Sequence, residues 1–166
     1  KGVWGNPREK YAANGKQCSG VDMSTTQLKW LGLSGAVLAM VAVLMGAFAA
    51  HGLKSIIEPT AIEIIKTGVF YQFIHSLAVL IITGLAMSEP FCQVQYLLWF
   101  SANLMVIGCL LFSGSLYGLA LTQVFWFGPL TPIGGLAFII AWLLLCIAVW
   151  RIRLDSEIVN EKFNGK

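Results

Sequence analysis

The chain has 166 residues, of which 57% are hydrophobic and only 11% charged, and its formal net charge is +3 at pH 7. This balance excludes an intrinsically disordered protein and is typical of a polytopic membrane protein. No basic stripe alternates with aromatic residues, so the sequence gives no support to nucleic-acid binding.

Four apolar stretches, each free of Lys, Arg, Asp and Glu, occupy most of the chain. They cover residues 30–50, 69–87, 96–121 and 133–150. A helix of about 20 apolar residues rises roughly 30 Å, which is the thickness of the hydrocarbon core of a bilayer. The sequence therefore predicts an all-α integral membrane protein, a bundle of four transmembrane helices in one membrane domain over residues 23–153.

The polar segments at the two ends are expected to lie outside this membrane domain. Residues 1–22 are rich in Gly, Asn and Lys and have no periodicity, which is typical of a disordered tail. Because Met23 and the residues after it resemble a natural start of translation, the sequence leaves open whether this tail is native. Residues 154–166 are expected to form a second tail, on the cytoplasmic side.

The first span also resembles a secretory signal peptide. Lys29 precedes the apolar stretch, and Ala47-Phe48-Ala49 has the outline of a cleavage site. A signal-peptide core is normally shorter than this stretch, so we expect the span to be retained. A row of small residues at helical spacing predicts a face for close packing against a neighbouring helix. These residues are Gly35, Ala39, Ala42, Gly46 and Ala50.

Residues 53–68, between the first two spans, are predicted to contain a short interfacial helix. Glu58-Pro59 favours a helix start, because proline suits the first helical position and an acid suits the positive end of the helix dipole. The residues that follow separate into an apolar side with Ile64 and a polar side with Glu63 and Lys66, as in helices that lie in the membrane interface.

The polar residues of the other spans come next in the chain. In the second span, Tyr71, Gln72 and His75 have the spacing of residues that share one helical face. The third span has Asn103 near its beginning and, near its end, Ser113, Ser115 and Tyr117. Thr131 and Pro132 open the fourth span, where threonine suits the N-cap and proline the first turn.

The distribution of Lys and Arg predicts that both termini face the cytoplasm. The flanks of the first and last spans carry most of these residues, namely Lys16, Lys29, Arg151, Arg153, Lys162 and Lys166. The first loop has only Lys54 and Lys66, and the third loop has neither Lys nor Arg. Cytoplasmic flanks are the ones enriched in Lys and Arg.

Because successive spans cross the membrane in opposite directions, most of the polar residues are predicted to lie at one depth, at the outer end of the bundle. This candidate polar cluster consists of His51, Tyr71, Gln72, His75, Ser113, Ser115, Tyr117 and Thr131. Asn103 is the exception, in the inner half. Polar groups within a membrane face the bundle interior and need partners. The cluster is therefore either a shallow binding site, for a carbonyl, an anion or a lipid head group, or a set of structural contacts between helices.

Four ordered motifs resemble a known family. They are Gly46-Ala-Phe-Ala-Ala-His51-Gly-Leu-Lys54, Thr67-Gly-Val-Phe-Tyr71-Gln72-Phe-Ile-His75-Ser-Leu-Ala, Leu111-Phe-Ser-Gly-Ser115-Leu-Tyr117 and Thr131-Pro-Ile-Gly-Gly135. They resemble the family called domain of unknown function 423, the YgdD-like inner-membrane proteins, over about residues 23–153. The resemblance implies a small, multi-pass protein of the bacterial inner membrane and implies no activity.

Three functions agree with these features to different degrees. A non-enzymatic protein that binds lipid, a membrane-protein partner or a second copy of itself fits the small size and the glycine-rich faces. A carrier or channel for a neutral solute is the alternative, although ion-coupled carriers usually need a charged residue within a span. A haem- or quinone-binding protein that uses His51 and His75 at one depth is the third. No Cys and His spacing predicts a metal site, and we expect no cofactor.

Overall fold

A computed structural model describes residues 23–53 and 55–152, so the tails predicted over residues 1–22 and 154–166 lie outside the described residues. The described chain is all-helical and contains four long apolar helices, each long enough to cross a membrane. These four spans are Thr25–Gly52, Pro59–Ala86, Phe91–Thr122 and Phe125–Arg151. The prediction of four candidate membrane spans is confirmed.

The spans are built from five α-helices and four shorter helical segments. The α-helices are α1 (Thr25–Ala47), α2 (Pro59–Ala86), α3 (Gln95–Gly108), α4 (Gly114–Thr122) and α5 (Leu130–Arg151). A π-helical turn, Phe48–Gly52, extends α1, and a second one, Cys109–Ser113, joins α3 to α4 within span three. Short 3₁₀ turns, Glu89–Val94 and Phe125–Phe127, precede α3 and α5.

Span one begins with two reciprocal hydrogen bonds. The Ser24 hydroxyl accepts from the backbone N–H of Gln27, and the Gln27 side chain accepts from the backbone N–H of Ser24. This capping box satisfies two N–H groups that the first helical turn leaves without partners. Helix α1 is thereby fixed to begin immediately after Ser24.

Spans one and two pack as antiparallel neighbours along the small-residue face of α1. A Cβ atom added to Gly35 would lie 2.9 Å from Cγ1 of Val79, and one added to Gly46 would lie 3.3 Å from Cγ1 of Val69. Residue numbers on α2 therefore fall as those on α1 rise. Ala42, between the two glycines, is buried. The predicted packing face is confirmed at these positions.

The structure resolves no separate interfacial helix between spans one and two among the described residues. Glu58 is the N-cap and Pro59 the first helical residue, as predicted, but α2 continues from there to Ala86 without a break. The reason lies in the first turns of α2, where Ile65 is buried in a cluster with Leu53. These turns pack onto the bundle, so the helix that was predicted to be separate is the first part of span two.

The two ends of the bundle differ in the helices that begin and end there. At the Gln95 end, where α1 begins and α5 ends, Gln95 accepts from the backbone N–H of Met23 and donates to the carbonyl of Ala86. At the same end the Arg151 guanidinium donates to the Tyr96 hydroxyl. At the opposite end, called the Gln72 end because Gln72 lies nearer to it than Gln95 does, α2 and α5 begin and α4 ends.

Candidate functional site

The π segment Cys109–Ser113 lies where spans three and four approach most closely. A Cβ atom added to Gly134 would lie 2.4 Å from the backbone N of Phe112 and 2.8 Å from its Cα. One added to Gly108 would lie 2.5 Å from the ring of Phe138. Side chains are excluded at both glycines, and the backbones of the two spans therefore meet. π-helical turns within α-helices occur often at functional sites, which directs attention to this level of the bundle.

Gln72 connects three spans through its side-chain amide. Its Nε2 donates to the carbonyl oxygen of Leu38 on α1 at 2.8 Å, and its Oε1 accepts from the Tyr117 hydroxyl on α4 at 2.9 Å. The Gln72 side chain is buried. The Tyr117 ring also lies against Gly68, where an added Cβ would come within 2.7 Å of it. A buried amide with both ends bonded holds spans one, two and three in one arrangement.

The hydroxyl groups of the predicted cluster also bond between helices. Ser113 donates to the carbonyl of Gly68 at 2.8 Å, which ties span three to span two. Ser115 and Thr131 share a hydrogen bond of 2.7 Å, which ties span three to span four. The prediction that Thr131 is an N-cap is wrong, because α5 begins one residue earlier, at Leu130, and the Thr131 hydroxyl bonds to Ser115 instead.

His75 faces span four rather than Gln72 and Tyr117. Its Nδ1 lies 2.7 Å from the Tyr71 carbonyl, and the Trp142 indole N–H donates to its Nε2 at 3.3 Å. Since a carbonyl can only accept and an indole N–H can only donate, Nδ1 carries the proton and the ring is neutral. The Phe138 ring stacks on the imidazole with centroids 3.6 Å apart. Both ring nitrogens of His75 therefore already have partners within the protein.

His51 does not join the other members of the predicted cluster. It is exposed on the π-helical turn that extends α1, and its side chain makes no hydrogen bond to another described residue. Because Gly46 faces Val69 across the antiparallel pair, His51 lies near the level of Ile64. That is about 16 Å along the helix axis from His75, at 1.5 Å per residue. The prediction that the two histidines share one depth is wrong.

The structure thus separates the eight predicted residues into groups with different surroundings. Every buried side-chain nitrogen and oxygen among the described residues has a hydrogen-bond partner. The interhelical bonds of the cluster are made by Gln72, His75, Ser113, Ser115, Tyr117 and Thr131. Such satisfied, buried bonds are what helix–helix contacts in membranes contain. Tyr71 and His75 remain as residues that face a space a ligand could fill.

That space is a groove of about 860 Å³ between α2 and α5. Its walls are almost entirely apolar and aromatic, and the ring of His75 is buried at its base. Tyr71 and Phe112 contact each other at a ring-centroid distance of 4.7 Å at one of its ends. The lining residues are Phe70, Tyr71, Ile74, His75, Phe112, Pro132, Gly135, Leu136, Phe138, Ile139, Trp142, Leu143 and Cys146.

The α5 side of this groove was not predicted from the sequence. Phe138 and Trp142 are four residues apart, so they share a helical face with Gly135 beside it. That spacing was visible in the sequence. In a span where nearly every residue is apolar, however, it could not be told from a lipid-facing or a packing surface.

The fold and the site define a small four-span membrane protein whose buried polar side chains join its helices and whose side carries an apolar groove. The chain belongs to the family described as "Protein of unknown function (DUF423)", whose model matches residues 45–135. The family predicted from the motifs is confirmed.

Three relatives illustrate the similarity. The chain is 46% identical over 114 residues to a UPF0382 membrane protein of Staphylococcus epidermidis, which covers 69% of this chain and 89% of the relative. It is 41% identical over 115 residues to the UPF0382 membrane protein YwdK of Bacillus subtilis, covering 69% and 90%. It is 36% identical over 120 residues to the UPF0382 inner membrane protein YgdD of Escherichia coli, covering 71% and 87%. No solved structure matches the chain.

Proposed function

We propose that this protein is a non-enzymatic membrane protein that binds the acyl chain of a lipid in the groove between α2 and α5. The observation that carries the proposal is the groove itself, with a volume of about 860 Å³ and an apolar, aromatic lining. Ligand sites are typically concave and mostly apolar, with a few polar groups that fix orientation. Since the groove lies along the side of a membrane bundle, the molecules with direct access to it are those in the bilayer.

The length of the groove fits an acyl chain. Its α5 wall extends from Pro132 to Cys146, which is about 21 Å at 1.5 Å per residue. One leaflet contributes about half of a hydrocarbon core roughly 30 Å thick, or about 15 Å. The groove can therefore accommodate the full length of a lipid tail that enters from the Gln72 end.

Tyr71 is the residue that would orient the lipid. It lies near the Gln72 end of the groove, where a lipid's polar part would be, and its side chain is 39% exposed. Its hydroxyl has no hydrogen-bond partner among the described residues. A tyrosine with an apolar ring and a free hydroxyl suits the boundary between acyl chains and head groups. We propose that this hydroxyl donates to an ester carbonyl of the lipid.

The other functions considered from the sequence have less support. A carrier for a neutral solute needs polar groups along a passage, whereas Gln72, Ser113 and Tyr117 are bonded to each other's helices. A haem site with two histidine ligands would need His51 and His75 together, and they lie about 16 Å apart along the bundle. A single-histidine site would first have to displace Trp142 from His75.

We also propose that both termini face the cytoplasm, so that the groove opens toward the outer leaflet. In the described residues, Lys29 and Arg151 lie at the Gln95 end. At the opposite end, Lys66 is engaged by Glu63 at 2.7 Å. The excess of Lys and Arg therefore favours the Gln95 end as the cytoplasmic one.

The groove is tested by filling it. A Cβ atom added to Gly135 would lie 3.8 Å from the Phe112 ring, an ordinary contact, so Gly135→Leu should fold and place its side chain in the groove. Gly114→Leu is the matched control, because nothing lies within 4 Å of a Cβ there and Gly114 does not line the groove. Each variant is purified in mild detergent, and the lipid that it retains is measured by native mass spectrometry.

We expect the wild-type chain and Gly114→Leu to retain about one lipid per chain, and Gly135→Leu to retain little. Both substitutions remove a glycine from a helix, so their effects on helix stability are alike. Equal lipid retention by all three proteins would show that the groove is not the binding site. A retained protein instead of a lipid would favour the partner-binding alternative.

A further inference from the structure

Asn103 has most of its hydrogen-bonding capacity unused. Its Nδ2 donates to the carbonyl of Trp99 at 2.8 Å, four residues earlier on the same helix. An asparagine side chain can donate twice and accept twice. The second N–H and the Oδ1 of Asn103 have no partner among the described residues. The side chain is only half-buried, so it is not enclosed in the bundle.

The depth of Asn103 makes this arrangement unfavourable for a single chain in a membrane. It lies eight residues after Gln95 on α3, or about 12 Å along the helix at 1.5 Å per residue. The hydrogen bond between Arg151 and Tyr96 marks the polar boundary at the Gln95 end. Asn103 is therefore within the hydrocarbon core, where water is absent and an unpaired amide costs free energy.

The residues around Asn103 form an exposed apolar stripe. Phe100, Ile107 and Leu110 lie three residues before, four after and seven after it, so all share one face of span three. Their side chains are 52%, 46% and 61% exposed, respectively. None of the residues of this stripe lines the groove between α2 and α5. The stripe is thus a separate surface, apolar except for one amide.

We propose that this stripe is the interface with a second copy of the chain, in which the Asn103 amides of the two copies hydrogen-bond to each other. Two copies inserted with the same topology are related by a two-fold axis along the membrane normal, which keeps identical residues at identical depth. An amide carries both a donor and an acceptor, so it is complementary to its own copy. A lipid head group cannot reach this depth, and acyl chains offer no hydrogen bond.

The dimer is measured by energy transfer between labelled full-length chains in lipid vesicles, as the amount of protein per lipid is lowered. We expect Asn103→Leu to weaken association about 3- to 30-fold, the effect of losing an interhelical hydrogen bond in a membrane. Asn103→Gln, which keeps an amide, should weaken it less. Val43→Leu, at an exposed apolar position on a different span, α1, is the control that should leave association unchanged.

Cross-linking tests the geometry separately from the strength. Phe100→Cys and Ile107→Cys should give disulfide-linked dimers above the wild-type background under a membrane-permeable oxidant, and Val43→Cys should not. The proposal is overturned if the wild-type chain stays monomeric at all protein densities, or if Asn103→Leu dimers are as tight as those of wild type. Cross-linking of Val43→Cys alone would place the interface on another face and overturn it equally. The lipid content of Asn103→Leu should remain that of wild type. The dimer proposal can therefore fail while the proposal of lipid binding in the groove stands, and the reverse.

Discussion

Gln72 connects its own span to two others by hydrogen bonds. Its amide bonds to the backbone of α1 and to the Tyr117 hydroxyl of α4, while its own helix is α2. In hydrocarbon, the Gln72 amide and the Tyr117 hydroxyl would otherwise be unpaired. These bonds therefore stabilise the bundle and also fix the rotation of each helix about its own axis.

Removal of the Tyr117 hydroxyl should lower the stability of the bundle. Tyr117→Phe leaves Oε1 of Gln72 buried without a donor, so we expect the free energy of unfolding to fall by about 0.6–2 kcal/mol. The measurement is unfolding in mild detergent, followed by circular dichroism. Tyr71→Phe is the matched control once bound lipid has been removed from every variant, because the Tyr71 hydroxyl has no hydrogen-bond partner among the described residues and its loss should change stability little.

A double variant tests whether the hydrogen bond between Gln72 and Tyr117 accounts for this loss of stability. In a Gln72→Leu background, Tyr117→Phe should cost less than it does alone, because the interaction between the two side chains has already been removed. Equal costs in both backgrounds would mean that Tyr117 contributes through its ring against Gly68 and not through this hydrogen bond.

The sequence could identify the polar residues of the spans but not their neighbours. Spacing placed Gln72 and His75 on one face of α2, yet they bond in different directions, Gln72 to α1 and α4 and His75 to Trp142 on α5. The rotation of each helix against its neighbours is set by packing, which a single sequence of nearly uniform apolar spans does not reveal. The prediction for His51 failed because a position at the same end of the bundle does not fix the same depth.

At the scale of elements, the π segment Cys109–Ser113 and the start of α5 form a contact that only glycine permits. The backbone of Phe112 occupies the space where a side chain at position 134 would begin. Helix boundaries such as Glu58-Pro59 could be predicted from local signals. The π segment could not, because it results from the contact between spans and not from local propensity.

A methyl group at position 134 should force the two spans apart. In Gly134→Ala the new Cβ would meet the Phe112 nitrogen at 2.4 Å, and neither backbone can move without disturbing its span. We expect a loss of about 1–3 kcal/mol in unfolding free energy, typical of overpacking. Thermal unfolding in detergent is again the measurement.

The adjacent glycine provides the comparison. Gly135→Ala adds a Cβ at an ordinary 3.8 Å from the Phe112 ring. It also replaces a glycine by a better helix former, so its stability should be equal to or up to about 1 kcal/mol above that of wild type. If the two alanine variants unfold alike, the close approach of α5 to the π segment is not present in the membrane protein.

At the scale of the whole molecule, the four spans could be predicted because length and apolarity suffice to define a membrane span. The groove could not be predicted, because it lies between α2 and α5 and the sequence does not show that these two helices are neighbours. Nor did the sequence show that two glutamines join the spans, Gln95 at one end of the bundle and Gln72 about halfway along α2. Gln95 lies outside the apolar stretch over residues 96–121, and in the structure it is the first residue of α3.

The orientation of the whole bundle is open to a direct test. We expect a reporter that fluoresces only in the cytoplasm to be active when fused after the last residue of the full chain, because Lys29 and Arg151 mark the Gln95 end as cytoplasmic. The same reporter fused after Gln123, where span three has ended and the chain turns, should be silent. A reporter that requires the outer compartment should give the reverse pattern at both sites. If the two fusions exchange results, the orientation is inverted and the groove opens to the inner leaflet. If both fusions report the same side, span four does not cross the membrane, and the groove between α2 and α5 would lose one of its walls.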